Sequence, residues 1–182
     1  MESASATTAP NRLNRIFLGI GGNLGDRLGN LRRAVKLIGE RIGRIEKVSS
    51  VYLSEPWGFK HAKYFTNIVA EVCTTFSADE VLTKAFEIEA KLKRTRSGHG
   101  YEGRTMDIDI LFFNSEIINT ERLMVPHPHI CQRLFVLLPM QEIEPDFVHP
   151  QNGKTMKELT KICNDAGKIR RLGAKFSNIS FC

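Results

Sequence analysis

Residues 15–42 read RIFLGIGGNLGDRLGNLRRAVKLIGERI, and the spacing of their apolar side chains changes once along the segment. Residues 15–21 alternate between apolar and other side chains, which is the period of a β-strand. A glycine-rich turn follows at residues 21–26. From residue 28 to residue 42 the apolar side chains recur at helical spacing, and Gly43 is a typical helix stop. The segment therefore predicts a strand, a turn and a helix in succession.

Further strands and helices follow in a regular order. Alternating apolar residues predict strands that end near Ser54 and that cover residues 68–74 and 105–113. Capping-box sequences at Ser77 and Thr155 predict two helix starts. The order strand–helix–strand–strand–helix–strand predicts an α+β fold with a ferredoxin-like core, an antiparallel sheet and extra C-terminal helices.

The composition is that of a soluble globular protein, with 42% hydrophobic and 25% charged residues. We predict a flexible N-terminal tail over residues 1–14, which are rich in Ser, Ala and Thr, and a single domain over residues 15–182. No apolar run is long enough to span a bilayer. The four cysteines lie far apart and form no Cys-x-x-Cys pair, so we expect no disulfide and a reduced, cytoplasmic protein. We also expect a monomer.

The net charge of +6 predicts an anionic partner. Nucleic acid, an acidic membrane and a phosphorylated small molecule all satisfy this condition. Charge alone does not choose among them.

Two acids in the predicted strand 105–113 carry the strongest local signal. Because side chains alternate along a strand, Asp107 and Asp109 share one face, while Ile108 and Ile110 point into the core. Their Cα atoms should lie about 6.6 Å apart, which lets two carboxylates converge on one or two Mg²⁺ ions. The alternative is a pair of solvated charges on an exposed strand. Asp is disfavoured in strands, however, and two on one face repel each other unless a cation lies between them.

Cationic side chains are dense beside these acids. They are Lys91, Lys93, Arg94, Arg96, His99 and Arg104, followed downstream by Arg122, His127 and Arg133. Arginine suits bidentate phosphate recognition, and acids beside arginines are typical of polyphosphate chemistry. Lys91 and Lys93 are better explained as a solvated helix end. For His127 we favour a phosphate contact over a transition-metal pair with His129.

Neither of two common phosphate-binding motifs is present. The chain has no Gly-x-x-x-x-Gly-Lys-Ser/Thr sequence, which excludes a P-loop enzyme. Residues 19–24 approach a dinucleotide-binding fingerprint, but Leu24 stands where its third glycine is required. The glycine turn is better explained as a place where backbone approaches a ligand or a neighbouring strand.

In combination, motifs from about Ile16 to Asp146 resemble the 6-hydroxymethyl-7,8-dihydropterin pyrophosphokinase family of folate biosynthesis. No single motif is decisive, but their joint occurrence in this order is specific. They are Gly21–Asp26, Ser49–Tyr52, Ser54–Gly58, Asn67, Glu89, Arg94, Arg96, Arg104–Asp109, Ile118–Leu123, Val125–Pro128, Arg133 and Phe135.

The resemblance implies a reaction and a set of site residues. The hydroxymethyl oxygen of the pterin attacks the β-phosphorus of ATP, takes the pyrophosphoryl group and releases AMP. Asp107 and Asp109 would hold two Mg²⁺ ions, and Arg94 and Arg104 would act on the phosphates. The ATP site would be lined by Arg96, Ile110, Arg122, His127 and Arg133. The pterin pocket would be formed by Ser54, Glu55, Trp57, Phe65, Asn67, Tyr101 and Phe135, with Phe65 and Phe135 on the two sides of the ring.

Two other functions fit part of the pattern. An RNA-recognition module shares this element order and a basic surface, but it needs exposed aromatics on its central strands. Here we expect Phe112 on the core face with Ile108 and Ile110, and acids on the opposite face, so we expect no nucleic-acid partner. A nucleotidyltransferase also uses an Asp-x-Asp pair, and only the wider resemblance argues against it.

Overall fold

The structure, a computed structural model, describes residues 13–57, 64–92 and 105–173. In these residues the strands are β1 (Asn14–Gly22), β2 (Arg44–Val48), β3 (Tyr52–Ser54), β4 (Phe65–Thr74), β5 (Asp107–Phe113), β6 (Ile118–Asn119), β7 (Met124–Val125) and β8 (Ile169–Arg171). The helices are α1 (Arg27–Arg41), α2 (Ala78–Lys91), α3 (Leu134–Ile143) and α4 (Met156–Ile162), with a 3₁₀ turn at Ile130–Gln132.

The fold is a mixed α/β fold with an antiparallel sheet, which confirms the predicted combination of elements. The main sheet has the order β5-β1-β4-β3-β8, and β2 pairs with β4 beside β3. Every pair in this sheet is antiparallel. The predicted strand ending near Ser54 is divided into β2 and β3, and β6 and β7 form a separate two-stranded ribbon.

Local hydrogen bonds at the helix starts explain why the predicted helices form. Asp26 caps α1 by accepting from the backbone N–H of Gly29 at 3.0 Å. Capping boxes begin both α2, through Ser77, and α4, through Thr155. The Ser77 hydrogen bonds lower the pKa of the Glu80 carboxyl, so the box is held by a charged acceptor at neutral pH. These starts agree with the sequence pattern.

The sheet separates two apolar cores. One face of the sheet packs against α1 and α2, through side chains that include Ile16, Leu18 and Ile110. The other face packs against α3 and α4, through side chains that include Phe17 and Phe112. Because both faces are covered along most of the sheet, a ligand can reach the strands only where the covering helices leave a gap.

A β-bulge corrects one expectation about β5. The pairing of β1 with β5 shifts between Phe17 and Leu18, so that Phe17 faces Phe112 while Leu18 faces Ile110. Leu111 is the extra residue, and it turns Phe112 to the side opposite Ile110. Phe112 therefore lies in the core beneath α3 and α4, not with Ile108 and Ile110 as expected. It is fully buried, so it offers no stacking surface to RNA.

Helices able to cross a bilayer are absent from residues 13–57, 64–92 and 105–173, because none has the necessary length and apolar composition. In that part of the chain Cys73, Cys131 and Cys163 are free thiols, as the sequence predicts.

Candidate active site

A cleft lies over the sheet face beside the start of α3. Its floor is formed by β1, β4 and β5, and its sides by the end of β3 and the first turn of α3. It brings together residues that are far apart in the chain, namely Ser54, Glu55, Trp57, Phe65, Asn67, Asp107, Asp109, Arg133 and Phe135. All of these were predicted as site residues.

Two glycines of β1 keep the floor of the cleft open. Gly21 is paired with Asp107 on one side and with Asn67 on the other, and Gly19 is paired with Asp109 and Val69. A Cβ atom on Gly21 would lie 2.5 Å from Asn67 Oδ1, closer than any real Cβ contact. The strand between the acids and the amide must therefore lack side chains on this face, which leaves room for a flat molecule.

The polar end of the cleft is built from Asn67 and Ser54. The Asn67 amide nitrogen donates to Ser54 Oγ at 2.9 Å, and both side chains are buried. A primary amide has two N–H donors and a carbonyl acceptor, so Asn67 can recognise a heterocycle that presents both donor and acceptor groups on its edge. Pairing with Ser54 fixes the orientation of this amide before a ligand arrives.

A stacked group of side chains forms another part of the cleft. The Arg133 guanidinium carbon lies 4.5 Å from the Trp57 ring centroid and 5.7 Å from that of Phe135. The Trp57 ring also contacts His129, with centroids 5.5 Å apart. Arg133 is only 9% exposed. A cation packed against two aromatic rings keeps its position, so the cleft contains a fixed positive charge as well as its two acids.

Helix α2 supports the strand that carries the acids. Glu89, which is 2% exposed, accepts a hydrogen bond from the backbone N–H of Ile108 at 2.8 Å. Ile108 separates the two aspartates, and among the described residues β5 is an edge strand that pairs with β1 alone in the main sheet. Because a buried N–H needs an acceptor, Glu89 holds this edge in place. The sequence pattern includes Glu89 among the resembling positions but predicts no role for it.

Comparison with known families identifies the family to which the chain belongs. The family model described as 7,8-dihydro-6-hydroxymethylpterin-pyrophosphokinase (HPPK) matches residues 17–145, most of the chain. The chain belongs to the HPPK family.

Two curated HPPK relatives support the assignment. A protein of Aquifex aeolicus named 2-amino-4-hydroxy-6-hydroxymethyldihydropteridine pyrophosphokinase is 38% identical over 143 residues, which cover 79% of this chain and 88% of that protein. A Bacillus subtilis protein of the same name is 42% identical over 131 residues, covering 71% of this chain and 78% of that one.

Solved structures show the same fold at low identity. A Plasmodium falciparum HPPK-DHPS triple mutant with STZ-DHP superposes with a TM-score of 0.68 and 17% identity over 82% of this chain. The match covers 43% of that longer chain. At this identity the likeness supports the HPPK fold alone.

His127, a predicted ATP-site residue of this HPPK chain, lies next to the cleft in a half-buried position. Burial lowers the pKa of its imidazole to about 4, and the charges of Arg133 and His129 act in the same direction, while Asp107 opposes them. Its Nδ1 accepts from the His129 backbone N–H at 3.2 Å. The ring is therefore neutral at pH 7, with its proton on Nε2, and can donate a hydrogen bond to a phosphate without adding charge.

The lowered pKa of His127 predicts a pH-dependent stability. Between its ordinary pKa of 6.5 and about 4, the unfolded chain binds a proton at this histidine and the folded protein does not. The free energy of unfolding should therefore fall as the pH is lowered through this window, and it should fall less in a His127→Gln variant. Urea unfolding at pH 7 and pH 5 measures how far the free energy of unfolding falls with pH in each of the two proteins. His149, whose pKa burial also lowers, is present in both proteins, so the difference isolates His127. Equal decreases in the two proteins would contradict the prediction.

Several predicted residues lie away from the cleft or outside the described residues. The Ile110 side chain is buried in the core against α1 and α2, so only its backbone is available to a ligand. Arg122 is exposed between β6 and β7. Four further predicted residues lie outside the described residues: Arg94, Arg96, Tyr101 and Arg104.

Proposed function

We propose that this chain transfers the pyrophosphoryl group of ATP to the hydroxymethyl oxygen of 6-hydroxymethyl-7,8-dihydropterin and releases AMP, a step of folate synthesis. Its HPPK relatives carry the name of this activity. The observation that carries the proposal is the floor of the cleft, where Gly21 lies between Asp107 on one side and Asn67 on the other. One surface therefore offers acids for a polyphosphate's metal and an amide for a heterocycle.

The protein contributes little covalent chemistry to the reaction. The hydroxymethyl oxygen forms a bond to the β-phosphorus, the bond from this phosphorus to the oxygen bridging to the α-phosphorus breaks, and AMP leaves with that oxygen. The hydroxyl proton passes to solvent. Catalysis then depends on holding the two substrates in line and on stabilising the phosphate charge. The fixed Arg133 guanidinium supplies part of the positive charge that stabilises the phosphates.

The acids fit a magnesium site that is completed by substrate. Within the described part of the chain, no group of three or more His, Cys, Asp or Glu side chains could hold a metal. Mg²⁺ is commonly bound through one or two carboxylates together with substrate phosphates and water. Asp107 and Asp109, on one face of β5 and both lining the cleft, suit two such ions. When bound, the ions would neutralise the phosphates and polarise the reacting phosphorus.

The remaining predicted residues divide between the two substrates. We assign Arg133 and His127, together with Ile110, Arg122, Arg94, Arg96 and Arg104, to ATP. We assign the aromatic and polar residues of the cleft to the pterin: Ser54, Glu55, Trp57, Phe65, Asn67 and Phe135, with Tyr101. In this assignment Phe65 and Phe135 cover the two faces of the pterin ring, since aromatic rings stack favourably on flat heterocycles.

Phe135→Ala tests this division. We expect it to weaken pterin binding by about tenfold, because it removes stacking and buried apolar area, while ATP-analogue binding changes little. Isothermal titration with each ligand measures the two affinities. Phe76→Ala is the matched control. Phe76 is a partly buried aromatic residue that follows β4, whose first residue, Phe65, lines the cleft. A loss of nucleotide affinity with unchanged pterin affinity would show that the two pockets are assigned the wrong way round.

A product assay tests the function itself. Purified protein is incubated with ATP, Mg²⁺ and 6-hydroxymethyl-7,8-dihydropterin, and the products are identified by mass spectrometry. AMP and the pterin diphosphate are expected. Release of pyrophosphate would indicate a nucleotidyltransferase and overturn the proposal.

We further propose the domain organisation, the oligomeric state and the location of the enzyme. Residues 15–182 act as a single domain after the tail of residues 1–14, and the core follows the ferredoxin-like order. The enzyme works as a monomer in the cytoplasm, with ATP and the pterin as its partners and with neither nucleic acid nor membrane. The buried position of Phe112 supports the exclusion of RNA.

A further inference from the structure

The segment Asp165–Leu172 follows the residues matched by the HPPK family, which end at residue 145. It contains β8, which extends the main sheet beyond β3. In β8, Ile169 pairs with Ser54 and Arg171 pairs with Tyr52. The segment contacts both sides of the cleft, at β3 and at α3.

The first contact is with the β3 wall, meaning Ser54 and Glu55. The Glu55 carboxylate accepts from the backbone N–H of Lys168 at 3.2 Å. The Glu55 backbone N–H donates in return to the Lys168 carbonyl at 3.3 Å. Both the backbone and the side chain of Glu55 are therefore held by a segment more than a hundred residues later in the chain.

The second contact is with the α3 wall, meaning Phe135 and Val136. Helix α3 has no side-chain cap from its own N-cap residue, Arg133. Instead, Asp165 Oδ2 accepts from the backbone N–H of Leu134, the first helical residue, at 3.0 Å. Asp165 Oδ1 also accepts from the Gly167 N–H at 3.0 Å. A carboxylate at a helix start satisfies a free N–H and complements the helix dipole, so Asp165 caps α3 from a distant part of the sequence.

A charge cluster around the exposed Arg171 side chain links the segment to helix α3 and to the chain at and before β3. The Arg171 guanidinium donates to Glu142 of α3 at 2.7 Å and to Ser50 Oγ at 2.9 Å. Glu142 also accepts from the Tyr52 hydroxyl of β3 at 2.9 Å. Burial alone would raise the pKa of Glu142, but the hydrogen bonds of Ser50 and Tyr52 and the charge of Arg171 outweigh it and lower the pKa. The carboxylate therefore stays ionised and joins β3, α3 and β8.

We infer that the segment Asp165–Leu172 is a positioning element of the pterin pocket, because it sets how far apart the β3 wall and the α3 wall stand. A stacking pocket must match the thickness of its ring, so a small change in that separation weakens binding. The inference rests on the proposed function, since it assigns this cleft to the pterin.

Three variants test the inference, with a fourth as control. Asp165→Ala removes the cap of α3, and Arg171→Ala detaches β8 from Glu142. Asp165→Asn keeps an acceptor oxygen, and asparagine caps helices about as well as aspartate. Asp146→Ala removes an exposed acid outside the segment and is the matched control. The chain has one tryptophan, Trp57, which lines the cleft, so quenching of its emission reports pterin binding in each protein.

We expect Asp165→Ala and Arg171→Ala to raise the pterin Kd and KM by about fivefold, while kcat at saturating pterin stays within about twofold of the parent protein. Asp165→Asn should restore most of the affinity. If both alanine variants unfold at lower temperature but bind pterin as Asp146→Ala does, the segment only stabilises the fold and the inference is wrong. If Asp165→Ala does not fold, Arg171→Ala decides by the same comparison. A parent protein that neither binds pterin nor forms AMP would overturn the proposed function first, and the inference with it.

Discussion

Asp107→Ala and Asp109→Ala are each expected to reduce AMP formation by at least about two orders of magnitude, since metal-assisted stabilisation of transferring phosphate is worth several kcal/mol. The folded state should survive either change, because removing one of two neighbouring acids relieves their repulsion in the metal-free protein. Steady-state rates over a range of Mg²⁺ concentrations measure the effect, and circular dichroism verifies the fold.

The control for both aspartate variants is Asp146→Ala, which removes the same charge at an exposed position outside the cleft. It should leave turnover unchanged. If the acids hold Mg²⁺, the residual activity of either variant should also require a higher Mg²⁺ concentration than the parent protein. Near-normal turnover in one of the variants would rule out that residue as a ligand.

Gly21→Ala should lower pterin affinity by about tenfold or more, an effect comparable with leaving a buried polar group unsatisfied. The added Cβ would lie 2.5 Å from Asn67 Oδ1. Asn67 is buried and hydrogen-bonded to Ser54, so it can move only by breaking that bond. Titration of the pterin, followed by Trp57 emission, measures the loss.

A second glycine provides the control for Gly21→Ala. Gly39 lies within α1, and a Cβ there would meet Ile45 Cδ1 at 3.8 Å, an ordinary contact. Gly39→Ala should keep pterin affinity and stabilise the helix slightly, because alanine has the higher helix propensity. Unchanged pterin affinity in Gly21→Ala would mean that the floor of the cleft relaxes without cost, and that Asn67 does not need its present position.

Local patterns in the sequence predict the elements and much of the site. The alternation of residues 15–21 and the helical spacing of residues 28–42 correspond to β1 and α1, because each pattern records which side chains of an element face a core. The placement of Asp107 and Asp109 on one face of β5 follows from the same two-residue period. The two-residue alternation holds wherever the strand is regular, and β5 is regular from Asp107 to Ile110.

The same period fails where the strand is irregular. Phe112 was expected beside Ile108 and Ile110, but the bulge at Leu111 reverses its direction. A bulge depends on how β5 fits against β1, and nothing in the composition of residues 107–113 marks it. The division of the predicted second strand into β2 and β3 likewise depends on two separate pairings with β4.

The cleft itself is a product of the chain's long-range contacts. Residue types and spacing indicate acids suited to Mg²⁺, cations suited to phosphate and glycines that admit a ligand, because these properties belong to single side chains and short segments. The distance between Asp107 and Asn67 is set instead by Gly21, through the pairing of three strands. The support that Asp165 gives to α3 and that Lys168 gives to Glu55 joins residues about thirty and more than a hundred positions apart. Such contacts leave no periodic trace in a sequence, since any residue with a suitable donor or acceptor can make them, and only the folded chain shows which one does.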